Sequence, residues 1–185
     1  MNTTTFRLES VTKVIGLEKV ESTQQVARLL AGTEEHGTLV LSCYQTAAFD
    51  RNGKNFPAPE GGIYFTLLLK PAKPLELENL TFAGANAVAD TLKKVFELKT
   101  KLTPEGDILV WDKNARKYKK IAGVLAETDE QGTYLLGVGI FVNNSLPAAY
   151  KETTISLKTI IGSETSKELF LDDVLNNFWK EYALL

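Results

Sequence analysis

Thiols and imidazoles are nearly missing from this chain: Cys43 is its one cysteine and His36 its one histidine in 185 residues. A lone thiol inside an apolar run builds neither a disulfide framework nor a thiolate metal site. One imidazole leaves His-dependent triads and zinc centres without their parts. Long apolar runs are missing too, since none approaches the roughly 18 residues that read as a membrane span. The opening MNTTTFRLES lacks the basic-then-apolar layout of a secretory signal. Neither sign of charge dominates; a net charge of −2 argues against an electrostatic nucleic-acid binder. A cytoplasmic protein with no membrane and no DNA partner is the default expectation.

What is present suffices for one core. With 44% hydrophobic residues over this length, residues 1–185 read as a single domain, without internal repeat or linker. Val11–Val20 holds one short strand. Ser22 or Thr23 then caps a helix with Val26, Leu29 and Leu30 at helical spacing, and Gly32 stands where a C-cap is expected. A helix start of this kind points N–H groups and a positive dipole end at whatever lies beyond it. Thr38–Tyr44 and Ile63–Leu69 are almost continuously apolar, so both faces of these strands are expected to be covered. Asn79 is placed to cap a long helix whose stripe runs Leu80, Ala83, Gly84, Ala87, Val88, Thr91, Leu92, Val95.

Asp107–Trp111, Ile121–Ala126 and Thr133–Val142 read as strands, and Asp112–Lys120 between the first two as a charged, mostly solvated turn. Gly123 is small enough for backbone or ligand to approach closely. The Gly137-Val138-Gly139 run lies inside an apolar strand rather than between strand and helix, so it is no dinucleotide fingerprint. Short helical turns are expected near Ala148–Tyr150 and Ile155–Ile161. Ser166 caps a last helix with Leu171, Val174, Leu175, Phe178, Tyr182 and Leu185 on one face. Strands grouped into hairpins with helices between them predict an α+β fold, a largely antiparallel mixed sheet covered by helices on one face.

The feature that stands out is the connection between Thr38–Tyr44 and Ile63–Leu69. It takes about 18 residues, beyond the usual length for a structureless loop. It carries Gln45, Asp50, Arg51, Asn52, Lys54 and Asn55 among Gly53, Pro57, Pro59, Gly61 and Gly62. Such a segment offers cationic and amide donors to a ligand, and with few apolar anchors it is expected to be mobile until one binds. A plain solvated hairpin is the competing reading.

Four stretches occur in a fixed order: Glu21-Ser22-Thr23-Gln24; a strand ending in Gln45; Ala58-Pro59-Glu60-Gly61-Gly62-Ile63-Tyr64; and Lys119-Lys120-Ile121-Ala122-Gly123-Val124-Leu125-Ala126. In these, and in register from about Glu21 onward, the chain resembles the catalytic domain of biotin–protein ligases in the biotin/lipoate ligase superfamily. The Lys-hydrophobic-Ala-Gly-hydrophobic-Leu motif is the most specific, and the resemblance makes Lys120 the catalytic lysine. Departures are visible. The family's Gly-Arg-rich loop survives only as Arg51, Gly53 and Lys54, its Lys-Trp-Pro-Asn-Asp only securely as Asp107, and Phe141 stands where the family has Asn.

The resemblance implies ATP-dependent formation of biotinyl-adenylate, followed by transfer of biotin to a lysine of a biotin carboxyl carrier domain. It implies biotin contacts from Ser22, Thr23, Gln45, Gly61, Gly62, Tyr64 and Gly123, and adenylate or ATP contacts from Arg51, Lys54, Asp107 and Lys120, with Arg51 and Lys120 catalytic. Magnesium accompanies the nucleotide, with Asp107 as its one candidate ligand, and a homodimer is compatible with the family. Residues 1–185 are expected to hold the catalytic domain alone, with no helix-turn-helix region and no small barrel, so a repressor role is not implied. Two other readings stay open: a relative that binds biotin or another acyl ligand without efficient adenylation, and a lipoate or octanoate ligase or transferase.

Overall fold

Residues 8–185 are described by a computed structural model; most of the segment read for a secretory layout lies outside them. Seven strands form one sheet: β1 (Lys13–Val20), β2 (Thr38–Gln45), β3 (Ile63–Leu69), β4 (Thr100–Leu102), β5 (Asp107–Asp112), β6 (Lys117–Thr128) and β7 (Tyr134–Ile140). Their order is β1-β2-β3-β7-β6-β5-β4. Only β1 and β2 run parallel, because the helix between them supplies the crossover that a parallel pair needs; the other pairs are antiparallel. The expected α+β architecture with a largely antiparallel mixed sheet is present.

The helices are α1 (Thr23–Leu30), α2 (Leu77–Phe96), α3 (Leu157–Ile161) and α4 (Lys167–Tyr182), with a 3-10 turn at Ala148–Tyr150. Helices α2 and α4 cover one face, where Leu80, Val88, Leu92, Phe170, Leu171 and Phe178 meet Leu67, Ile108, Val124 and Ile140. The one-sided cover holds for these two. Helix α1 lies on the opposite face, with Ala27 and Ala31 packed on Val40, Leu68 and Leu135. That explains the unbroken burial of β3, which is enclosed from both sides.

Several local expectations shift. Helix α1 ends on Ala31 in right-handed conformation, so Gly32 is not its cap. Helix α2 starts three residues early, on Glu76, without a side-chain cap, and Val95 of the expected stripe is exposed. Ser166 caps α4 as expected, its hydroxyl accepting from Leu169 N–H at 3.4 Å, but Leu185 is exposed. A short strand, β4, stands where only a turn was expected, its pattern too brief to read. His36 is structural: Nδ1 accepts from Lys70 N–H at 2.9 Å and the ring lies against Trp179 and Tyr182.

The charged Asp112–Lys120 segment is the largest revision. Strand β6 begins at Lys117, so only four residues turn. Asp112 and Lys119 are drawn together at 3.0 Å with side chains only 9% and 12% exposed. Asp112 also accepts from the backbone N–H groups of Asn114 and Ala115, fixing the hairpin. Burial pushes the Asp112 carboxyl up, but Lys119 and the two N–H groups outweigh it and hold its pKa below the usual carboxylate value.

Lys119→Ala is therefore not the neutral change that a solvated turn implies. We expect it to cost about 2 kcal/mol by leaving a buried carboxylate short of its cation, a fall of roughly 4–8 °C in melting temperature. The pair's stabilisation should be present at neutral pH, above the unfolded carboxylate pKa. It should be lost as pH falls through the lowered folded value. Thermal melts across acidic pH, with the charge-free double variant Asp112→Asn/Lys119→Met for comparison, check both points.

Candidate functional site

The cleft opens on the α1 face of the sheet, where β6 and β7 carry glycine. Gly137 and Gly139 are two apart on β7 and so share a face, and Gly139 pairs with Gly123 of β6. A Cβ at Gly137 would stand 2.6 Å from Gln24 Oε1, and one at Gly139 2.5 Å from the Phe56 ring. A side chain at any of the three would intrude on the cleft. Ser22, Thr23, Gln45, Arg51, Asp107, Lys120 and Gly123 from the sequence reading all line it.

At one end a polar network fixes the entrance of α1. Ser22, in extended conformation, caps the helix by accepting Gln24 N–H at 3.2 Å. Gln45 Oε1 accepts from Thr23 N–H at 2.6 Å and from Thr23 Oγ1 at 3.1 Å. Thr66 Oγ1 lies 3.0 Å from Thr23 Oγ1 and 2.9 Å from Gln24 Oε1, while Gln24 Nε2 donates to Glu127 and to the Leu135 carbonyl. The leading N–H groups of α1 are thus spent on side chains and do not form the open anion site that the helix start suggests. What this end offers a ligand is a rigid set of hydroxyls and the Gln45 amide.

At the other end stands Lys120. Its ammonium and Asp107 Oδ1 lie 2.6 Å apart, and Nζ is 5.2 Å from the Phe56 ring centroid. Phe56 stacks on the buried Phe141, centroids 5.2 Å apart and planes 9° apart. The orientation of Lys120 depends on an irregularity. Ile108 pairs with Ala122 but Leu109 pairs with Lys120, so Ile121 is an extra residue in β6. Simple alternation back from Gly123 would turn Lys120 into the core. The bulge lets Ile121 bury itself while Lys120 faces the cleft, the re-aiming for which bulges are used. A chain segment from far along the sequence holds it there: Lys120 N–H donates to Thr153 O at 2.8 Å and Ile155 N–H to Lys120 O at 2.9 Å.

The long connection has a defined path. Gln45 N–H donates to Ala58 O, Asp50 N–H to Lys54 O and Phe56 N–H to Ala48 O, with Asp50 Oδ1 capping the tip through Asn52 and Lys54 N–H. Ala48, Phe56 and Ala58 are the apolar anchors it was expected to lack. Arg51 crosses the cleft, donating to the Pro104 carbonyl at 3.3 Å.

Four expected site residues are not in the lining. Lys54 is exposed at the loop tip. Gly61, Gly62 and Tyr64 instead anchor the loop's return. Tyr64 OH donates to Pro59 O at 2.7 Å, and Asn144 Nδ2 donates to Pro59 O, Glu60 O and Tyr64 OH. Gly61, at φ +94, takes Asn143 N–H on its carbonyl. Burial pushes the Tyr64 phenol well up, the Asn144 bond offsetting this in part, so it is a fixed hydroxyl rather than a titrating one. Gln24, Phe56, Thr66, Gly137 and Gly139 line the cleft without having been singled out as site residues. The two glycines carried a readable signal in their spacing of two; the others are placed by contacts distant in sequence.

The profile of the biotin/lipoate A/B protein ligase family matches residues 16–143. The bifunctional ligase/repressor BirA of Bacillus subtilis is 31% identical over 173 residues, which is 88% of this chain and 51% of BirA; the BirA of Bacillus spizizenii matches to the same extent. The chain thus spans about half the length of the curated relatives it matches. The biotin protein ligase from Aquifex aeolicus, solved in complex with biotin and ATP, is 26% identical, with a TM-score of 0.82 over 93% of this chain and 71% of that one. A lipoate protein ligase from Thermoplasma acidophilum shares the fold alone, at 12% identity and a TM-score of 0.64, over 94% of this chain and 84% of that one. With most of β1 through β7 inside the matched profile, the chain belongs to the biotin/lipoate A/B protein ligase family.

Proposed function

We propose that this chain, acting as one catalytic domain, is an ATP-dependent biotin–protein ligase. The biotin carboxylate attacks the α-phosphate of ATP to give biotinyl-adenylate with release of pyrophosphate, and a lysine amine of a biotin carboxyl carrier domain then takes the biotinyl group with release of AMP. The observation that carries the reading is the position of Lys120, held by a β-bulge over a glycine floor and facing a rigid set of polar groups across one cleft. A bicyclic, uncharged head with a short acyl chain suits such a space: apolar floor, few polar groups, fixed orientation. The Gln45 amide and the Ser22 hydroxyl are the donors for the ureido carbonyl. The acyl chain would run over Gly123 and Gly139 toward Lys120.

Two anions must meet at Lys120, the biotin carboxylate and the ATP α-phosphate. A fixed ammonium beside both offsets their repulsion and stabilises the charge that develops at phosphorus. Asp107 and Phe56 are its partners, so an anion that binds there meets a side chain already held in place. Arg51, on the opposite wall, is placed to bind phosphate oxygens through its planar fork. A magnesium ion carried by the nucleotide fits Asp107, since Mg²⁺ is commonly held by one or two carboxylates with substrate phosphates. No group of three acidic, His or Cys side chains able to hold a metal by itself occurs among the described residues. Bound there, the ion would neutralise phosphate charge.

One feature favours a second reading, a relative that binds an acyl ligand without efficient adenylation. Phe141 replaces the family's polar Asn and brings the Phe56 ring against Lys120. Incubation with ATP, Mg²⁺ and biotin, lipoate or octanoate in turn, read by mass spectrometry for the acyl-adenylate, decides among the readings. Biotinyl-adenylate is the expected product. Biotin binding without adenylate would establish the second reading, and lipoyl- or octanoyl-adenylate alone would move the substrate to the other branch of the family.

Lys120→Ala is expected to abolish adenylate formation and to move the melting temperature by no more than a few degrees, because a cleft lysine contributes little to the core. Lys120→Arg should also impair adenylation, since a planar guanidinium has different reach. Retained adenylation in both variants would remove Lys120 from the chemistry. Arg51→Gly should speed loss of bound biotinyl-adenylate by about tenfold or more, a charge-assisted bond's worth, with biotin affinity changed less than twofold. Stopped-flow dissociation and calorimetry check that split; equal losses would mean that Arg51 only shapes the loop.

A further inference from the structure

We infer that the uncovered end of the cleft face, built on Trp111, Tyr118 and Lys101, is the docking surface for an acidic, folded carrier domain. The inference rests on the ligase reading for the partner's role but on separate residues for the surface. Trp111 and Tyr118 pair across β5 and β6, ring centroids 5.2 Å apart and edge to face, and remain 37% and 40% exposed. Lys101 of β4 lies over Tyr118, Nζ 6.0 Å from the ring centroid. The strand register puts all three on the side of Lys120: Lys101 and Lys120 both pair with Leu109, and Trp111 lies two residues further along β5. The patch therefore continues the rim of the cleft. Nothing in the core requires two aromatic rings there, since Ile108 and Val110 supply the buried face of the same strand.

Two arguments fix the occupant. The first is charge: residues 93–120 hold nine Lys and Arg against four Asp and Glu, and once the pairs Lys94–Asp90, Lys117–Glu152, Lys119–Asp112 and Lys120–Asp107 are set aside, Lys93, Lys99, Lys101, Lys113 and Arg116 stand against Glu97 and Glu105. Such local asymmetry steers a negatively charged partner rather than a neutral one. The second is reach. An acyl group fixed beside Lys120 can be taken only by an amine brought into the cleft, so a domain presenting that amine must lay its own surface on the rim. Exposed Trp and Tyr beside cationic side chains are the residue types that act as anchors in such interfaces.

The test uses Trp111→Ala/Tyr118→Ala and, separately, the single surface change Lys101→Glu, which disturbs no buried contact. Each is supplied with biotin and ATP·Mg²⁺ and read three ways: adenylate by mass spectrometry, transfer to hydroxylamine, and transfer to a purified biotin carboxyl carrier domain of net negative charge. We expect adenylate and hydroxylamine transfer within twofold of the wild type, and KM for the carrier raised about tenfold, as for loss of an interface anchor. The carrier KM of the wild type should rise with salt, and that of Lys101→Glu should rise less. An unchanged carrier KM overturns the proposal, as does equal loss with hydroxylamine, or a changed oligomeric mass with carrier transfer intact. Calorimetric titration of the carrier into wild type and variants separates the two readings. If the wild type makes no adenylate yet binds the carrier, and the variants do not, the surface stands and the ligase reading falls.

Discussion

Gly137, Gly139 and Gly123 leave a strip of the sheet bare of side chains, and the cleft exists because of that strip. Any larger residue would push its Cβ into Gln24, Phe56 or Lys120. The rest of the molecule can be understood as support for this gap. Helices α2 and α4 take the opposite face and supply the bulk of the core, so the cleft face need not be buried for stability. Helix α1 packs on the β1, β2, β3 and β7 part of that face, beside β6 and β5. The three-layer arrangement is thus asymmetric: one face packed throughout, the other half covered and half free.

At the edge of the strip, Lys120 is held by local irregularity and long-range pairing together. The bulge at Ile121 turns it toward the cleft, and Thr153 and Ile155 clamp its backbone. A side chain fixed in this way loses little freedom when it meets an anion, which is how a preorganised charge acts most strongly. Asp107 and Phe56 lie against its head group. Phe56 ties the loop from Gln45 to Gly62 to this spot, since the same ring lies beside Lys120, stacks on Phe141 and covers Gly139. The loop thus brings an aromatic ring, Phe56, and one arginine, Arg51, to the cleft.

The sequence by itself determined the kind of fold, the core strands β2 and β3, the buried stripe of α2 and the short motif that singles out Lys120. Those features are written in local periodicity and in a short motif, and both depend only on residues near one another in the chain. It also told that the long connection mattered, although not its shape. Where the structure departs from that reading, the cause is common. Tyr64 and Gly61 were read as ligand contacts, and the structure shows them holding the loop's return through Asn144 and Asn143, some 80 residues on. Asp112 and Lys119 were taken for solvated charges, and they form a nearly buried pair.

Only the tertiary structure decided which way Lys120 points. Counting in twos along β6 from Gly123 assigns it to the core, and the register shift between Ile108 and Leu109 reverses that. No residue near Ile121 announces the shift, because the pairing partners of Lys120 are distant in the chain: Leu109 of β5 on one edge and Thr153–Ile155 on the other. In the same way Phe56, Thr66 and Gln24 become site residues through contacts that close only when β3, β7 and α1 stack. Local sequence specifies what a residue prefers; which side of a strand it finally faces depends on the sum of pairings across the sheet, and that sum exists only in the folded chain.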